Sequence, residues 1–279
     1  MRPPAVWIGG PQGSGKSSIA RSLSRRLDLQ LYVIDHRMWS HVGRQGPAMA
    51  AFMELSLDER WVEPTPERML DWFVETSRER FRLVLEDLAA LPPSPTVVVE
   101  GPQLFPSFVA PHLTARDEAL FLLPDEASQR ARLEARGGMT QTSDPARARA
   151  NAVARDLMIG RLIERQATEL TLRTLVVDRP LAEMIERAAT VLIPVFQRGP
   201  RDVDLTAIRR LENQAIYEQV SKYRASGEAR AEDLDRAISF TCECGQSGCA
   251  EHVELPLDAF AQADRVNAHC ASGLTPRSD

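Results

Sequence analysis

Near the N-terminus, Gly10-Pro11-Gln12-Gly13-Ser14-Gly15-Lys16-Ser17 sets glycines, a lysine and a hydroxyl in the order G-x-x-x-x-G-K-[ST]. Glycines at these positions let successive backbone N–H groups turn inward around phosphate oxygens. A helix that starts at Lys16 adds the positive end of its dipole. Lys16 would reach the β- and γ-phosphates and the Ser17 hydroxyl would ligate Mg²⁺. Gly10, Gly13, Ser14, Gly15 and Ser18 complete the expected phosphate-binding set. Only Lys16 and Lys222 are lysines, and every other basic residue is arginine, so a lysine at this position is informative. The bland alternative is a Gly/Ser turn with a chance lysine. It fits poorly, because an apolar run, Ala5-Val6-Trp7-Ile8, precedes the turn and a helical stripe, Ile19, Leu23 and Leu27, follows it.

A second set of chemistry-bearing residues lies at the other end. Cys242-x-Cys244-x4-Cys249 is followed by His252, His269 and Cys270, so all four cysteines fall in one short segment. In a reducing compartment such clustering points to a metal more readily than to disulfides. Three thiolates and a fourth ligand suit tetrahedral zinc, with His269 or Cys270 closing the site and His252 a further choice. Gly245 and Gly248 permit the tight turn that three thiolates require. Reduced cysteines that merely pack, or a redox switch, are the other readings. A zinc here would be structural, since so short a module buries little core of its own. From residue 237 onward, Glu243, Glu251, Glu254, Asp258, Asp264 and Asp279 face only Arg265 and Arg277. That balance argues against nucleic-acid binding and for docking to protein, or self-association.

The elements that must position these groups follow from periodicity. Apolar runs at 5–8, 31–34, 96–99, 119–123 and 174–177 read as strands. Helical patterns occupy 16–27, 67–91, 126–136, a long stretch from Pro145, and 181–189. Strands alternating with helices predict an α/β domain whose parallel sheet is covered on both faces. The chain divides into that domain at 1–194, a linker at 195–204, a helical segment at 205–236 and the Cys-rich module at 237–279. The amphipathic part, Leu205 to Tyr223, places Ile208, Leu211, Ala215, Val220 and Tyr223 near one face. Hydrophobic residues at 43% and charged residues at 26% are those of a globular chain, and the net charge of −5 disfavours a nucleic-acid or anionic-membrane partner. No apolar run approaches the ~20 residues that span a bilayer. The opening MRPPAVWIGG lacks a signal-peptide core, so a cytoplasmic location is expected.

No N-K-x-D segment is present, which removes guanine-reading GTPases. Residues 5–192 resemble the P-loop kinases of the nucleoside/nucleotide and shikimate kinase type. The likeness rests on the phosphate loop, on Asp35 just past the second strand, and on Val97-Val98-Val99-Glu100-Gly101. It also rests on the arginines Arg130, Arg132, Arg136, Arg147, Arg149 and Arg155. It implies a P-loop NTPase three-layer sandwich with a five-stranded parallel sheet, use of ATP and Mg²⁺, and a lid of arginines that closes over the γ-phosphate. Asp35 would orient or deprotonate an acceptor hydroxyl, or would only cap the turn into Met38-Trp39. Glu100 would contact Mg²⁺-bound water or the acceptor, or would be a solvated strand end. Which of the two is the acceptor-side base stays open here. Arg136, at a Gly137-Gly138 hinge, and Arg155, one turn after Asn151, are the favoured catalytic arginines. Asp178-Arg179-Pro180 would lie near the adenine, or serve as a helix cap. The acceptor segment would be Ser56 to Trp72, with Asp58, Arg60 and Trp61 as contacts. Its acids, Glu54, Asp58, Glu59, Glu63 and Glu67, favour an uncharged or amino-bearing acceptor over a phosphorylated one.

Two functions compete on these grounds. One is an ATP-dependent kinase of a small-molecule hydroxyl. The other is an ATP-binding or slowly hydrolysing regulator that signals through the Cys-rich module. A kinase acting on a protein or an antibiotic would join the two.

Overall fold

The computed structural model describes residues 2–136, 141–200 and 203–269, and the backbone of 274–276. Strand β1 (Ala5–Gly9) leads through the glycine-rich loop into α1 (Lys16–Arg26), and β2 (Gln30–Val33) follows. A single 3₁₀ turn, Ile34–Arg37, opens an insertion of helices: α2 (Met38–Val42), α3 (Pro47–Glu54), α4 (Leu57–Trp61) and the long α5 (Pro66–Ala90). Strand β3 (Val97–Glu100), α6 (Pro106–Val109) and β4 (Ala119–Pro124) come next. Then follow α7 (Glu126–Ala135), α8 (Pro145–Glu169), β5 (Arg173–Val177) and α9 (Leu181–Phe196).

The five strands form one parallel sheet in the order β2-β3-β1-β4-β5. Its two apolar faces follow from the two-residue period of a strand. Val6, Ile8, Val98, Leu120 and Leu122 point to one side, where Ile19 and Leu23 of α1 and Met184 and Leu192 of α9 cover them. Trp7, Val97, Val99 and Phe121 point to the other, against Phe81 and Val84 of α5 and Ile159 and Ile163 of α8. The result is the expected three-layer sandwich. The order of strand connection switches sides at β1, which lies between β3 and β4. A crevice therefore opens beyond the carboxyl ends of these strands, where ligands of open parallel sheets bind.

Residues 195 and 196, expected in a linker, still belong to α9, and both Val195 and Phe196 are buried in the core beneath the sheet. Beyond them α10 (Leu205–Ala225) lies along the outer edge of β2 and against α2. The burial of α10 departs from its apolar pattern. Leu211 is 43% exposed, whereas Arg209 and Asn213 are almost wholly buried. An edge strand leaves backbone groups that need polar partners, and α10 supplies them. The Leu31 N–H donates to Glu212 Oε1 at 2.9 Å, and Arg209 donates to the Leu29 carbonyl at 2.8 Å. Glu212 also receives Arg25 at 2.6 Å and Arg209 at 2.9 Å, all largely buried.

The rest of the C-terminal region comprises α11 (Ala231–Leu234), the hairpin β6 (Ile238–Thr241) and β7 (His252–Leu255), α12 (Leu257–Gln262), and a small ladder of β8 (Ala263–Val266) with β9 (Leu274–Pro276). Its core is small: Phe240 stacks on Phe260 at 4.2 Å, beside Leu255 and Val266. Asn213 of α10 fastens it by exchanging hydrogen bonds of 2.8 Å with the backbone of Thr241. No helix among the described residues is long and apolar enough to cross a membrane.

Candidate active site

The phosphate loop has the backbone that its glycines promise. Gly10, Gly13 and Gly15 all have positive φ, at 144°, 82° and 80°. A Cβ on Gly10 would also stand 2.6 Å from the Leu122 carbonyl oxygen, so the loop and β4 touch backbone to backbone. Lys16 is buried and donates to the Pro11 carbonyl at 3.5 Å, curled over the loop it is expected to serve. Burial pulls its pKa down, and the carboxylates of Glu100 and Asp35 oppose that. The Ser14 hydroxyl is buried with no partner among the described residues, as a cradle for anionic oxygens requires.

Glu100 ends β3 beside this loop and is 1% exposed, which excludes the solvated strand end. Burial lifts its carboxyl to about 7, and the neighbouring Asp35 charge adds to the rise. Lys16 and a hydrogen bond with Ser17 work against it. One carboxyl oxygen, Oε2, has no hydrogen-bond partner among the described residues. Ser17 and Glu100 thus form a hydroxyl–carboxylate pair beside a lysine, a donor set of hard oxygens that suits Mg²⁺.

Asp35 stands in the 3₁₀ turn after β2 and accepts from Gln103 Nε2 at 3.0 Å. The turn is held from two sides. On one, Asp87 of α5 accepts from Tyr32 at 2.6 Å and Arg44 at 2.7 Å and contacts His41 at 2.9 Å. Burial opposes ionisation of Asp87, but those three partners hold its carboxyl below the usual range. On the other side, α10 caps α2, with the Trp39 N–H donating to Gln219 Oε1 at 2.8 Å.

From Asp35 a cavity of about 410 Å³ extends into the helical insertion. It reaches back to Gln12 of the phosphate loop and is walled by Phe52, Trp61, Trp72 and Phe73, with Arg60, Arg80 and Arg155 among its lining. Of the residues expected to contact an acceptor, Arg60 and Trp61 line this cavity. Asp58 does not: it accepts from the Ser143 N–H at 2.8 Å. Nor does any other acid of the 54–67 stretch, so their charge does not set the character of the cavity. Phe52, Trp72, Arg80, Gln103 and Gln219 escaped sequence reasoning. A concentration of aromatic residues over 52–73, in a chain only 6% aromatic, was the signal that could have found the first two.

The arginines divide. Arg155 lines the cavity, with its guanidinium over Trp61 at 5.1 Å and paired to Asp156 at 2.7 Å. Arg136 donates to the Gln12 side chain at 3.0 Å, and Arg132 to the Gly13 carbonyl at 2.9 Å, so α7 leans on the phosphate loop. The Gly137-Gly138 hinge lies outside the described residues. Arg130 is an exposed neighbour of Glu126 at 3.7 Å. Asn151 donates to three carbonyls at 61, 62 and 64, fixing α4 on α8. Asp178 forms an exposed ion pair with Arg187 at 2.6 Å, and the cap position of α9 belongs to Pro180.

In the C-terminal module the ligand atoms of Cys242, Cys244, Cys249 and His269 all lie within 4.8 Å of one another. Backbone N–H groups of Ala268 and Gln246 donate to the sulfurs of Cys242 and Cys244 at 3.3 and 3.4 Å. Gly245 and Gly248 both adopt positive φ in the turn between the thiols. His252 is elsewhere, facing Arg21 and Arg25 at the seam with α1, and Cys270 lies outside the described residues. The turn docks on the first domain, where Asp28 accepts from Ser247 Oγ and from the Gly248 N–H.

A parallel sheet of this order, with a glycine-rich phosphate loop leaving its central strand and a carboxylate ending the next, is a P-loop NTPase arrangement. The fold is that of a P-loop NTPase. Similar solved structures include shikimate kinase from Acinetobacter baumannii in complex with shikimate, 16% identical over 69% of this chain and 94% of that one, with TM-score 0.41. A gluconokinase from Sinorhizobium meliloti is 20% identical over 71% and 97%, with TM-score 0.40. Shikimate kinase from Bacteroides thetaiotaomicron is 14% identical over 68% and 98%, with TM-score 0.39. Similarity at this level carries neither a substrate nor a residue's role to this chain. No family model matches the sequence, and no curated protein does.

Proposed function

We propose that this protein transfers the γ-phosphoryl group of Mg·ATP to a hydroxyl of a small organic molecule. The observation that carries this is a cavity bordered by Gln12 of the phosphate loop at one end and by Asp35 and Gln103 along its wall. A nucleotide seated on Gly10 to Ser18 and an acceptor in the cavity would meet beside Asp35. Lys16 leaves the Pro11 carbonyl for the phosphates. Ser17 and Glu100 would hold Mg²⁺, which neutralises charge on the transferring group when bound. Glu100 suits the metal because its carboxylate is hydrogen-bonded to the Ser17 hydroxyl, a second hard oxygen donor. Asp35 suits the acceptor because it borders the cavity, and it takes the hydroxyl proton as the acceptor oxygen bonds to the γ-phosphorus. The bond from that phosphorus to the bridging oxygen breaks, and ADP leaves. Arg136 and Arg155 stabilise the charge spread over the transferring oxygens. Asp178 is assigned to the adenine-side loop, its pairing with Arg187 notwithstanding.

The Cys242, Cys244, Cys249 and His269 set would hold one structural zinc. Its donors are soft, near one another and braced by N–H···S bonds, as a closed tetrahedral site requires. Such an ion would close a module whose hydrophobic core is small.

The test is ADP formation from Mg·ATP with pooled metabolites, run beside Lys16→Ala. An acceptor-stimulated rate that disappears in the variant is expected. ATP binding through Lys16 with no stimulation by any pool would favour the regulatory reading instead.

A further inference from the structure

Seven apolar side chains line the acceptor cavity, and its polar members stand in a particular state of satisfaction. Phe52 is the hub of the apolar wall, meeting Trp61 edge-on at 6.5 Å and Trp72 at 6.0 Å. Met49 and Met69 fill the spaces between. Thioethers and aromatic faces give area and dispersion but no hydrogen bonds, so this wall selects an apolar body. The cavity, at about 410 Å³, falls in the range of drug-sized sites. That is more room than a monosaccharide or a small cyclic acid needs.

The charges are matched. Arg60 pairs with Glu228 at 3.1 Å and Arg155 with Asp156 at 2.7 Å. Arg80 donates to the Ile34 carbonyl at 2.9 Å and feels the Asp35 carboxylate. Arg60 and Arg155 are thus ion-paired and Arg80 lies in the field of Asp35, so a charged acceptor would compete with carboxylates these cations already hold. Burying an ion without a partner of its own is strongly unfavourable. Hydrogen-bonding capacity, by contrast, is left over. Arg80 Nε, Ser77 Oγ and Gln103 Oε1 are buried without partners among the described residues, and all three residues line the cavity. Gln103 already gives its amide N–H to Asp35, which leaves its oxygen as an acceptor directly beside the proposed base.

We infer that the phosphoryl acceptor is an uncharged, hydroxyl-rich molecule carrying an aromatic or alicyclic ring. The ring lies among Phe52, Trp61 and Trp72. One hydroxyl faces Asp35, and a second gives its proton to Gln103 Oε1 while Arg80 and Ser77 serve the remaining oxygens. This rests on the phosphotransferase reading of the same site. It goes further by excluding phosphorylated and carboxylate acceptors.

Binding is measured by tryptophan fluorescence and calorimetry on the full chain with Mg²⁺ and a non-hydrolysable ATP analogue. The probes are phenyl β-glucoside, which is neutral with an apolar ring, and two anions, shikimate and a nucleoside monophosphate. Phenyl β-glucoside is expected to bind at least tenfold tighter than either anion and to change the emission. Trp72→Phe should reduce that emission change while keeping the fold, and Trp72→Ala should weaken the glucoside about tenfold or more with the analogue still bound. Equal or tighter binding of an anionic probe overturns the acceptor class, as does binding of no probe while the analogue binds normally. Failure of the analogue itself to bind, with Lys16→Ala indistinguishable from the parent, overturns the phosphotransferase reading instead.

Discussion

Glu100 offers a sharp test, because function and stability oppose each other there. Burial lifts its carboxyl from an ordinary 4.5 to about 7 in the folded chain. Below 4.5 both folded and unfolded chains hold the proton, and the group contributes nothing to the pH dependence. Between 4.5 and 7 the folded chain keeps a proton that the unfolded chain has released, so stability falls as pH rises. Above 7 the penalty is complete and constant, at about 3 kcal/mol. Glu100→Gln is nearly isosteric with the protonated acid and removes that penalty. For a chain of this size the gain corresponds to a rise in Tm of up to about 10 °C. The assay is calorimetric unfolding of parent and variant from pH 5 to pH 8.5, without Mg²⁺ or nucleotide. The variant should match the parent near pH 5 and exceed it increasingly toward pH 8, while its Mg·ATP turnover collapses. Adding Mg·ATP should stabilise the parent more than the variant. A difference in Tm that is flat with pH, or largest in acid, would refute the assignment of Glu100 as a buried carboxylate poised for a metal.

Three further outcomes follow from the packing and the site. Asp35→Asn should lower kcat by roughly 10²–10⁴ with little change in the KM for ATP, and a loss below tenfold in steady-state assays would remove Asp35 as the base. Glu212→Ala leaves Arg25 and Arg209 buried without their carboxylate and the Leu31 N–H unpaired. It should cost about 3–5 kcal/mol in urea unfolding, and a change under 1 kcal/mol would show that α10 is not integral to the sheet edge. The purified chain should carry one zinc by elemental analysis, lost in Cys249→Ser together with several degrees of Tm. A metal-free protein of unchanged Tm would leave the four ligands as packed side chains.

Much of this protein was legible from its sequence because the signals are local. The phosphate loop needs positive φ at fixed positions, and glycines announce them. The five strands and the helices that cover them are written in short periodic runs, so the layered sheet and the placement of Lys16, Ser17, Asp35 and Glu100 at its carboxyl edge could be anticipated. The Cys242, Cys244 and Cys249 spacing likewise pointed to converging thiols, and His269, one of the two fourth ligands the sequence favoured, stands with them.

Tertiary structure decided what depends on distant contacts. The acceptor cavity draws Asp35 from the turn after β2, Trp72, Ser77 and Arg80 from α5, Gln103 from beyond β3, Arg155 from α8 and Gln219 from α10. No spacing rule connects these positions. Acids prominent in the sequence at 54–67 prove to lie outside the cavity, since charge in a linear stretch says nothing about which side of a helix meets the cavity. The C-terminal region reads as a separate unit joined by a linker, yet Arg209, Glu212 and Asn213 are drawn inward by unpaired backbone and charge on the sheet edge and hairpin they cover. Periodicity records where apolar surface must go. It does not record where a neighbouring strand's polar backbone, or a buried arginine such as Arg25, will demand a partner.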